Sequence, residues 1–343
     1  MTGSDLSETA QTLVADGKGI LAADETVPTV TRRLAALTIE STPEIRRAYR
    51  KMFFTTPGVS DFISGVILQD ETIHQHDDNG TPLADLLIRL GMIPGIKVDY
   101  GAKPLAGCPE EHITEGLDGL RDRLREYSKL GARFAKWRAV VEVSDRLPTP
   151  CCVQANAHAL ARYAAICQEQ GVVPIVEPEV LMNGSHTIER CEEVTGRVLH
   201  AVFGALYEQD VSLEGMLLKP NMVVSGGACT TQASVKEVAV ATLRCLRRHV
   251  PAAVPGIVFL SGGQNHLVAT EHLNEINQLK GPKPWTLSFS YGRALQDEAL
   301  HAWRGEGENL GAGQRAFYHR ARCDGAAALG RYSPSMEAEL LVA

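Results

Sequence analysis

A closed (β/α)8 TIM barrel of the α/β class is the fold predicted by the 343-residue sequence, and three observations predict it. Eight short apolar or β-rich runs recur along the chain. Amphipathic stretches lie between them, with apolar residues three and four positions apart as on one face of a helix. Near-continuous apolar strands that alternate with helices pair in parallel with both faces covered, and eight such units in one mid-sized chain suit a closed barrel. An open doubly wound sheet fits less well. The sequence has no G-x-G-x-x-G after the first run, no G-x-x-x-x-G-K-[ST], and no composition break marking a linker. Residues 1–343 are therefore expected to form a single barrel domain, with 331–343 a short C-terminal tail.

The elements follow in order. GILAAD (19–24) is aliphatic up to Asp24, and GVILQ (65–69) is apolar up to Gln69. IPGIKVD (93–99) carries Lys97 near its end. The helix-like EGLDGLRDRLREYSKLG (115–131) leads into ARFAKWR (132–138), which carries Lys136 and Arg138. NAHALARYAAICQEQG (156–171) has helical spacing and precedes VPIVEPE (173–179), with Glu177 and Glu179. GMLLKPN (215–221) ends in Lys219. SVKEVAVATLRCLRRHV (234–250) is a third clear helix, and IVFLSGG (257–263) and TLSFSY (286–291) complete the strands. ALQDEALHAWRG and NLGAGQRAFYHRARCDGAAALG then read as two closing helices.

Composition narrows the function classes. With 34 basic and 41 acidic residues the net charge is −7, so no general attraction to nucleic acid or to a membrane surface is expected, and an anionic substrate must meet local cations. The first residues show no basic-then-apolar signal pattern, and no apolar run approaches the ~18 residues of a membrane span, which points to a cytoplasmic protein. Eight cysteines without C-x-x-C spacing suit reduced thiols rather than a disulfide frame or zinc site. His74 and His76 lie in a polar loop without an evident third ligand, so no metal site is expected there.

Chemistry in such a barrel gathers at the C-terminal strand ends. Lys219, directly after Met216, Leu217 and Leu218, is an ammonium placed where burial is costly unless it is paired or its neutral amine has a use. Side chains two apart on a strand share a face, so Lys136 with Arg138, and Glu177 with Glu179, can converge with Lys219 from neighbouring strands. Like charge and partial burial are expected to lower the Lys219 pKa, leaving an amine that can form a Schiff base, while the carboxylates move protons. The loops SGGQ (261–264) and SYGR (290–293) suit anion binding, because glycine lets a phosphate approach the main chain and Arg293 adds a forked cation. Any one of these charges could be an ordinary ion pair at the rim; their recurrence at matching strand ends favours a site.

In order and across about residues 10–335, GKGILAADE, GIKVD, FAKWR, PIVEPE, LLKPNM, FLSGGQ and TLSFSYGRALQ resemble class I fructose-bisphosphate aldolase. The resemblance implies that Lys219 is the Schiff-base lysine and Glu177 the general acid/base, with Asp24, Lys136 and Glu179 as catalytic neighbours. It implies contacts to a bisphosphate sugar from Arg33, Lys97, Arg138, Ser261, Gly262, Gly263, Ser290, Gly292 and Arg293. It also implies a homotetramer that uses neither metal nor cofactor. Two features depart from the family pattern. After AADE the family usually continues Ser-Thr-Gly-Ser, where this chain has Thr26, Val27, Pro28 and Thr29. Animal members end in a tyrosine on a mobile tail, whereas the last tyrosine here is Tyr332; Glu337 and Glu339 are expected on a mobile end that does not reach the pocket, leaving water or Glu177 to protonate the enamine. Another Schiff-base lyase for a different sugar phosphate, and a non-catalytic scaffold on the same frame, are the rival readings. Assays across ketose phosphates separate the first, and the intact Lys219, Glu177 and Lys136 argue against the second.

Overall fold

The computed structural model describes residues 3–341. Ten strands form: β1 (Gly19–Ala22), β2 (Ile63–Leu68), β3 (Ile93–Lys97), β4 (Ala102–Leu105), β5 (Cys108–Thr114), β6 (Phe134–Val141), β7 (Val173–Val180), β8 (Leu217–Leu218), β9 (Gly256–Phe259) and β10 (Thr286–Tyr291). Eight of them close into a parallel barrel in the order β1, β2, β3, β6, β7, β8, β9, β10 and back to β1. These are the eight runs the sequence predicts. The antiparallel hairpin β4–β5 is additional, inserted after β3 with Lys103 paired to Ile113. β8 is short because Pro220 has no N–H to continue a ladder. The pairing nevertheless persists: Lys219 N–H donates to Val176 O at 2.8 Å, and Leu260 N–H donates to Pro220 O at 3.0 Å.

Alternation along each strand divides the molecule into two cores. Inside the barrel, Ile20, Ala22, Ile67, Phe134, Val173, Ile175, Leu217 and Val258 pack together, and Leu6, Ala10, Leu13 and Val14 close the lower end. Three of those four closing residues lie on one stripe of the helix Gly3–Leu13. Phe134 needs glycine opposite: a Cβ on Gly95 would lie 2.3 Å from its ring. Burying that ring contributes about 2–3 kcal/mol. The other strand faces, among them Leu21, Ile96, Trp137, Val176, Leu218 and Phe259, pack outward beneath the helices.

Helix starts are set by short polar caps. Thr149 Oγ1 accepts from Cys152 N–H ahead of the helix Pro150–Glu169, and Ser234 with Glu237 forms a reciprocal capping box ahead of Val235–His249. Among the described residues, no helix is long and apolar enough to cross a membrane.

The C-terminal segment differs from the mobile end expected of it. Pro334–Leu341 forms a 3-10 turn, Tyr332 is buried, and Glu337 accepts from Arg320 Nη1 at 2.9 Å and Nη2 at 2.6 Å. A buried guanidinium on the helix Leu310–Ala328, already 3.4 Å from Glu298, gains its shortest carboxylate contact from Glu337. The Glu339 side chain lies outside the described residues.

Candidate active site

On three barrel strands the interior sequence turns from apolar to charged at the top: Phe134 to Lys136 and Arg138, Ile175 to Glu177 and Glu179, Leu217 to Lys219. Because Val176 pairs with Leu218, Glu177 and Lys219 stand side by side and point inward together. Lys219 Nζ lies 3.3 Å from Glu177 Oε1. Lys136 pairs with Ile175, one pleat lower, and its long stem climbs to bring Nζ 3.3 Å from Glu177 Oε2 and 2.7 Å from Asp24 Oδ2. Lys219, Glu177 and Lys136 are all buried.

Burial opposes charge on Lys136, but Asp24, Glu177 and Asp99 outweigh it and hold the ammonium well above the usual lysine range. Burial likewise opposes charge on Asp24, and Lys136 and Lys219, with Lys97, outweigh it and bring that carboxyl down to about 2. The surroundings expected for Lys219 are corrected here. Its nearest charge is a carboxylate rather than a cation, because the carboxylates interleave with Lys136 and Arg138 between it and them.

Glu179 and Arg138 form a separate pair, with Arg138 Nε donating to Glu179 Oε2, so Glu179 faces away from Lys219's amine toward the rim. Lys97 and Lys136 are register partners on adjacent strands, an unfavourable pairing by itself. Asp99, which the sequence reading passed over, resolves it. Its Oδ1 accepts from Lys97 Nζ at 2.6 Å, and its Oδ2 lies 4.0 Å from Lys136 Nζ and accepts Arg138 N–H at 3.2 Å. The available signal was the Lys97-x-Asp99 spacing within GIKVD, which places both on one strand face.

The opposite wall holds Ser261, Gly262, Ser290, Gly292 and Arg293, and with the lysines and carboxylates it encloses a cavity of about 700 Å³. Gly262 and Gly263 have φ of +58° and +100°, a conformation that requires glycine. Gly263 stands behind the lining, where a Cβ would lie 3.3 Å from the Arg293 guanidinium. The Ser290 hydroxyl is buried without a hydrogen-bond partner in the protein. Arg33 lines the cavity while held from behind: its Nη1 donates to Gln296 Oε1 at 2.6 Å and to Glu25, and its Nη2 donates to Asp297 Oδ1 at 2.8 Å. Every other residue predicted for the site lines this one cavity.

Thr26, Thr29 and Arg32 also line it and were not predicted for the site. The Thr26 and Thr29 hydroxyls lie 3.1 Å apart where the chain departs from Ser-Thr-Gly-Ser. Pro28 sits in the first turn of the helix Val27–Ala35, where an N–H has no intrahelical acceptor, so its missing amide leaves the helix intact. Seven basic and five acidic side chains line the cavity, an excess of cations that suits an anionic ligand. The central carboxylates each face a lysine or arginine, which is not the free acidic set that holds a divalent ion. His74 and His76 are absent from the lining, and His74 Nδ1 lies 2.8 Å from the Asp70 carbonyl oxygen.

The family described as Glycolytic, Fructose-bisphosphate aldolase class-I, matches residues 5–341. The chain is 57% identical over 333 residues to a probable fructose-bisphosphate aldolase class 1 of Xanthomonas axonopodis pv. citri, covering 97% of this chain and 99% of that one. It is 51% identical over 334 residues to fructose-bisphosphate aldolase C of Homo sapiens, covering 97% and 92%. In structure it is similar to the fructose-bisphosphate aldolase of Plasmodium falciparum, solved in complex with TRAP and a small-molecule inhibitor. The TM-score is 0.95 at 49% identity, over 96% of this chain and 95% of that one.

Proposed function

The chain belongs to the class I fructose-bisphosphate aldolase family, lyases that cleave fructose 1,6-bisphosphate reversibly to dihydroxyacetone phosphate and glyceraldehyde 3-phosphate through a lysine Schiff base, and on that premise we propose that Lys219 is the nucleophile. The observation that carries this assignment is the buried series Lys219, Glu177, Lys136 and Asp24, each within 3.3 Å of the next. The neutral Lys219 amine attacks the C2 carbonyl. Glu177, one oxygen toward Lys219 and the other toward Lys136, carries the protons that turn the carbinolamine into iminium and water. Asp24 or Glu177 takes the C4 hydroxyl proton as the C3–C4 bond breaks, and its electron pair passes into the iminium to give the enamine. Lys136 stays cationic and offsets the carboxylates around it.

The cationic lining receives the two phosphates. Ser261, Gly262, Ser290, Gly292 and Arg293 form one anion site at the start of the helix Arg293–Trp303, supported by the unpartnered Ser290 hydroxyl and the free N-terminal amides of that helix. Lys97, Arg138 and Arg33, with Thr26, Thr29 and Arg32 beside them, serve the rest of the substrate. Glu179 acts by holding Arg138. The iminium is the electron sink, so the reaction needs no metal. The same reading makes the protein a cytoplasmic homotetramer acting in glycolysis and gluconeogenesis from one barrel domain. Its eight unpaired thiols suit a reducing compartment.

Borohydride added with dihydroxyacetone phosphate is expected to inactivate the protein and leave one adduct on the peptide containing Lys219, with activity insensitive to chelators. Chelator-sensitive cleavage without an adduct would overturn the assignment.

A further inference from the structure

Away from the cavity, three side chains of different donor type meet where the C-terminal segment crosses the last helix. His319 and Cys323 are one turn apart on the helix Leu310–Ala328 and share a face, and Glu337 reaches them from Pro334–Leu341. His319 Nε2 lies 3.7 Å from Cys323 Sγ and 3.2 Å from Glu337 Oε2, and all three donor atoms fall within 4.8 Å of one another. A tetrahedral ion with bonds of ~2.0–2.1 Å to nitrogen and oxygen and ~2.3 Å to sulfur holds its ligand atoms roughly 3.3–3.6 Å apart. The separations of 3.2 and 3.7 Å lie within about 0.1 Å of that spacing.

Hydrogen bonding serves the three groups unevenly, because the sulfur is only a weak donor and acceptor. His319 Nε2 carries at most one proton. With the proton present it donates to Glu337, and the Cys323 thiol finds no acceptor on the ring. With it absent the ring accepts from the thiol, and its lone pair then faces the carboxylate. A single cation between them is a partner for nitrogen, sulfur and oxygen at once. Arg320 does not displace it: Nη1 holds the other carboxylate oxygen at 2.9 Å, and Nε and Nη2 each lie 3.4 Å from Glu298 Oε2 as well. Nη2 shares Oε2 at 2.6 Å, an orienting contact of the kind that ligating carboxylates make outside the metal.

We propose that His319, Cys323 and Glu337 form a binding site for a thiophilic divalent cation of the zinc class, fastening the C-terminal segment to the helix Leu310–Ala328. Sulfur with imidazole selects zinc-like ions over magnesium or calcium. On binding, the Cys323 thiol releases its proton to solvent as the metal–sulfur bond forms, and His319 binds through Nε2 with its proton on Nδ1. Three protein ligands leave the fourth position to water. None of the three residues lines the barrel cavity, so the ion is structural and separate from the Schiff-base chemistry.

The test is a cobalt(II) titration of the chelator-treated full chain. One equivalent is expected to give tetrahedral cobalt absorption with a thiolate charge-transfer band, and Cys323→Ser to remove that band while aldolase activity remains. His319→Ala is expected to weaken binding at least tenfold. X-ray absorption of the unaltered chain loaded with one equivalent of zinc gives an arm that needs no variant, the expected shell being one sulfur with nitrogen and oxygen ligands. No thiolate band at one equivalent, a band that survives Cys323→Ser, or a zinc shell with no sulfur or with several would each overturn the proposal.

Discussion

Lys219 and Glu177 stand level at the tops of adjacent strands, Nζ 3.3 Å from Oε1, with Glu177's second oxygen turned to Lys136. A carboxylate between two amines can relay a proton in either direction, whereas an amide of the same shape cannot. Glu177→Gln is expected to lower kcat by about 10²–10⁴, the usual contribution of a positioned acid/base. Slow single-turnover trapping of Lys219 should remain. A kcat near wild type would take Glu177 out of proton transfer.

Arg293 supplies a forked cation beside Gly263 and the unpartnered Ser290 hydroxyl. Arg293→Ala is expected to weaken substrate binding by about 1.5–3 kcal/mol, the range for hydrogen bonds to charged groups. Binding of the bisphosphate to the Lys219→Ala variant, measured by calorimetry, isolates that affinity from turnover. Unchanged binding would place Arg293 outside the phosphate site.

The barrel was legible because its strands are buried on both faces and read as apolar runs, with breaks such as Lys219-Pro220 falling at the strand end. The hairpin β4–β5 was not. Ala102, Lys103 and Pro104 are exposed, and in β5 the half-buried Cys108 is followed by the exposed pair Pro109 and Glu110, so burial imposes no alternation there. At the site, residue types on strand ends announced Lys136, Glu177 and Lys219, but their pairing was hidden. It depends on the register that sets Glu177 against Lys219 while Lys136 starts one pleat lower. Asp99 escaped notice because its role is to separate two lysines from different strands, a relation absent from either strand alone.

That role makes Asp99 testable. Asp99→Asn leaves Lys97 and Lys136 as register partners with less charge between them, and breaking a buried pair costs about 3 kcal/mol. Urea unfolding should show the loss, and Lys97→Met in the Asp99→Asn background should recover part of it. Additive losses in the double variant would show that Asp99 does not act through Lys97.

Asp24 gives a pH dependence of definite sign. Its folded pKa of about 2 lies below the ordinary 3.8, so the unfolded chain takes up the proton first as pH falls. The stabilisation is therefore complete above about pH 4 and is lost as pH falls through 2. Its size is about 2 kcal/mol from the shift. The difference in unfolding free energy between wild type and Asp24→Asn should shrink by about that amount from pH ~5 to pH 2. A difference constant with pH would mean that the lysines do not hold Asp24 ionised.

The last prediction concerns the C-terminal segment. Removing residues 333–343 takes Glu337 from Arg320, which is 1% exposed and, among the described residues, keeps only the 3.4 Å contacts to Glu298 as carboxylate hydrogen bonds. Stability is expected to fall by about 3 kcal/mol, the low end for an uncompensated buried charge, because Glu337 is itself partly solvated. The Arg320 contact ties down a segment expected from the sequence to be a mobile end, and it leaves the chemistry in the barrel unchanged. Glu337 is turned to the outer helix and is absent from the cavity lining, so enamine protonation falls to water or Glu177. Solvent deuterium should enter dihydroxyacetone phosphate at the same rate, relative to cleavage, in the full and truncated chains below their unfolding temperatures. Exchange that collapses on truncation would mean the segment leaves Arg320 during turnover and delivers the proton itself.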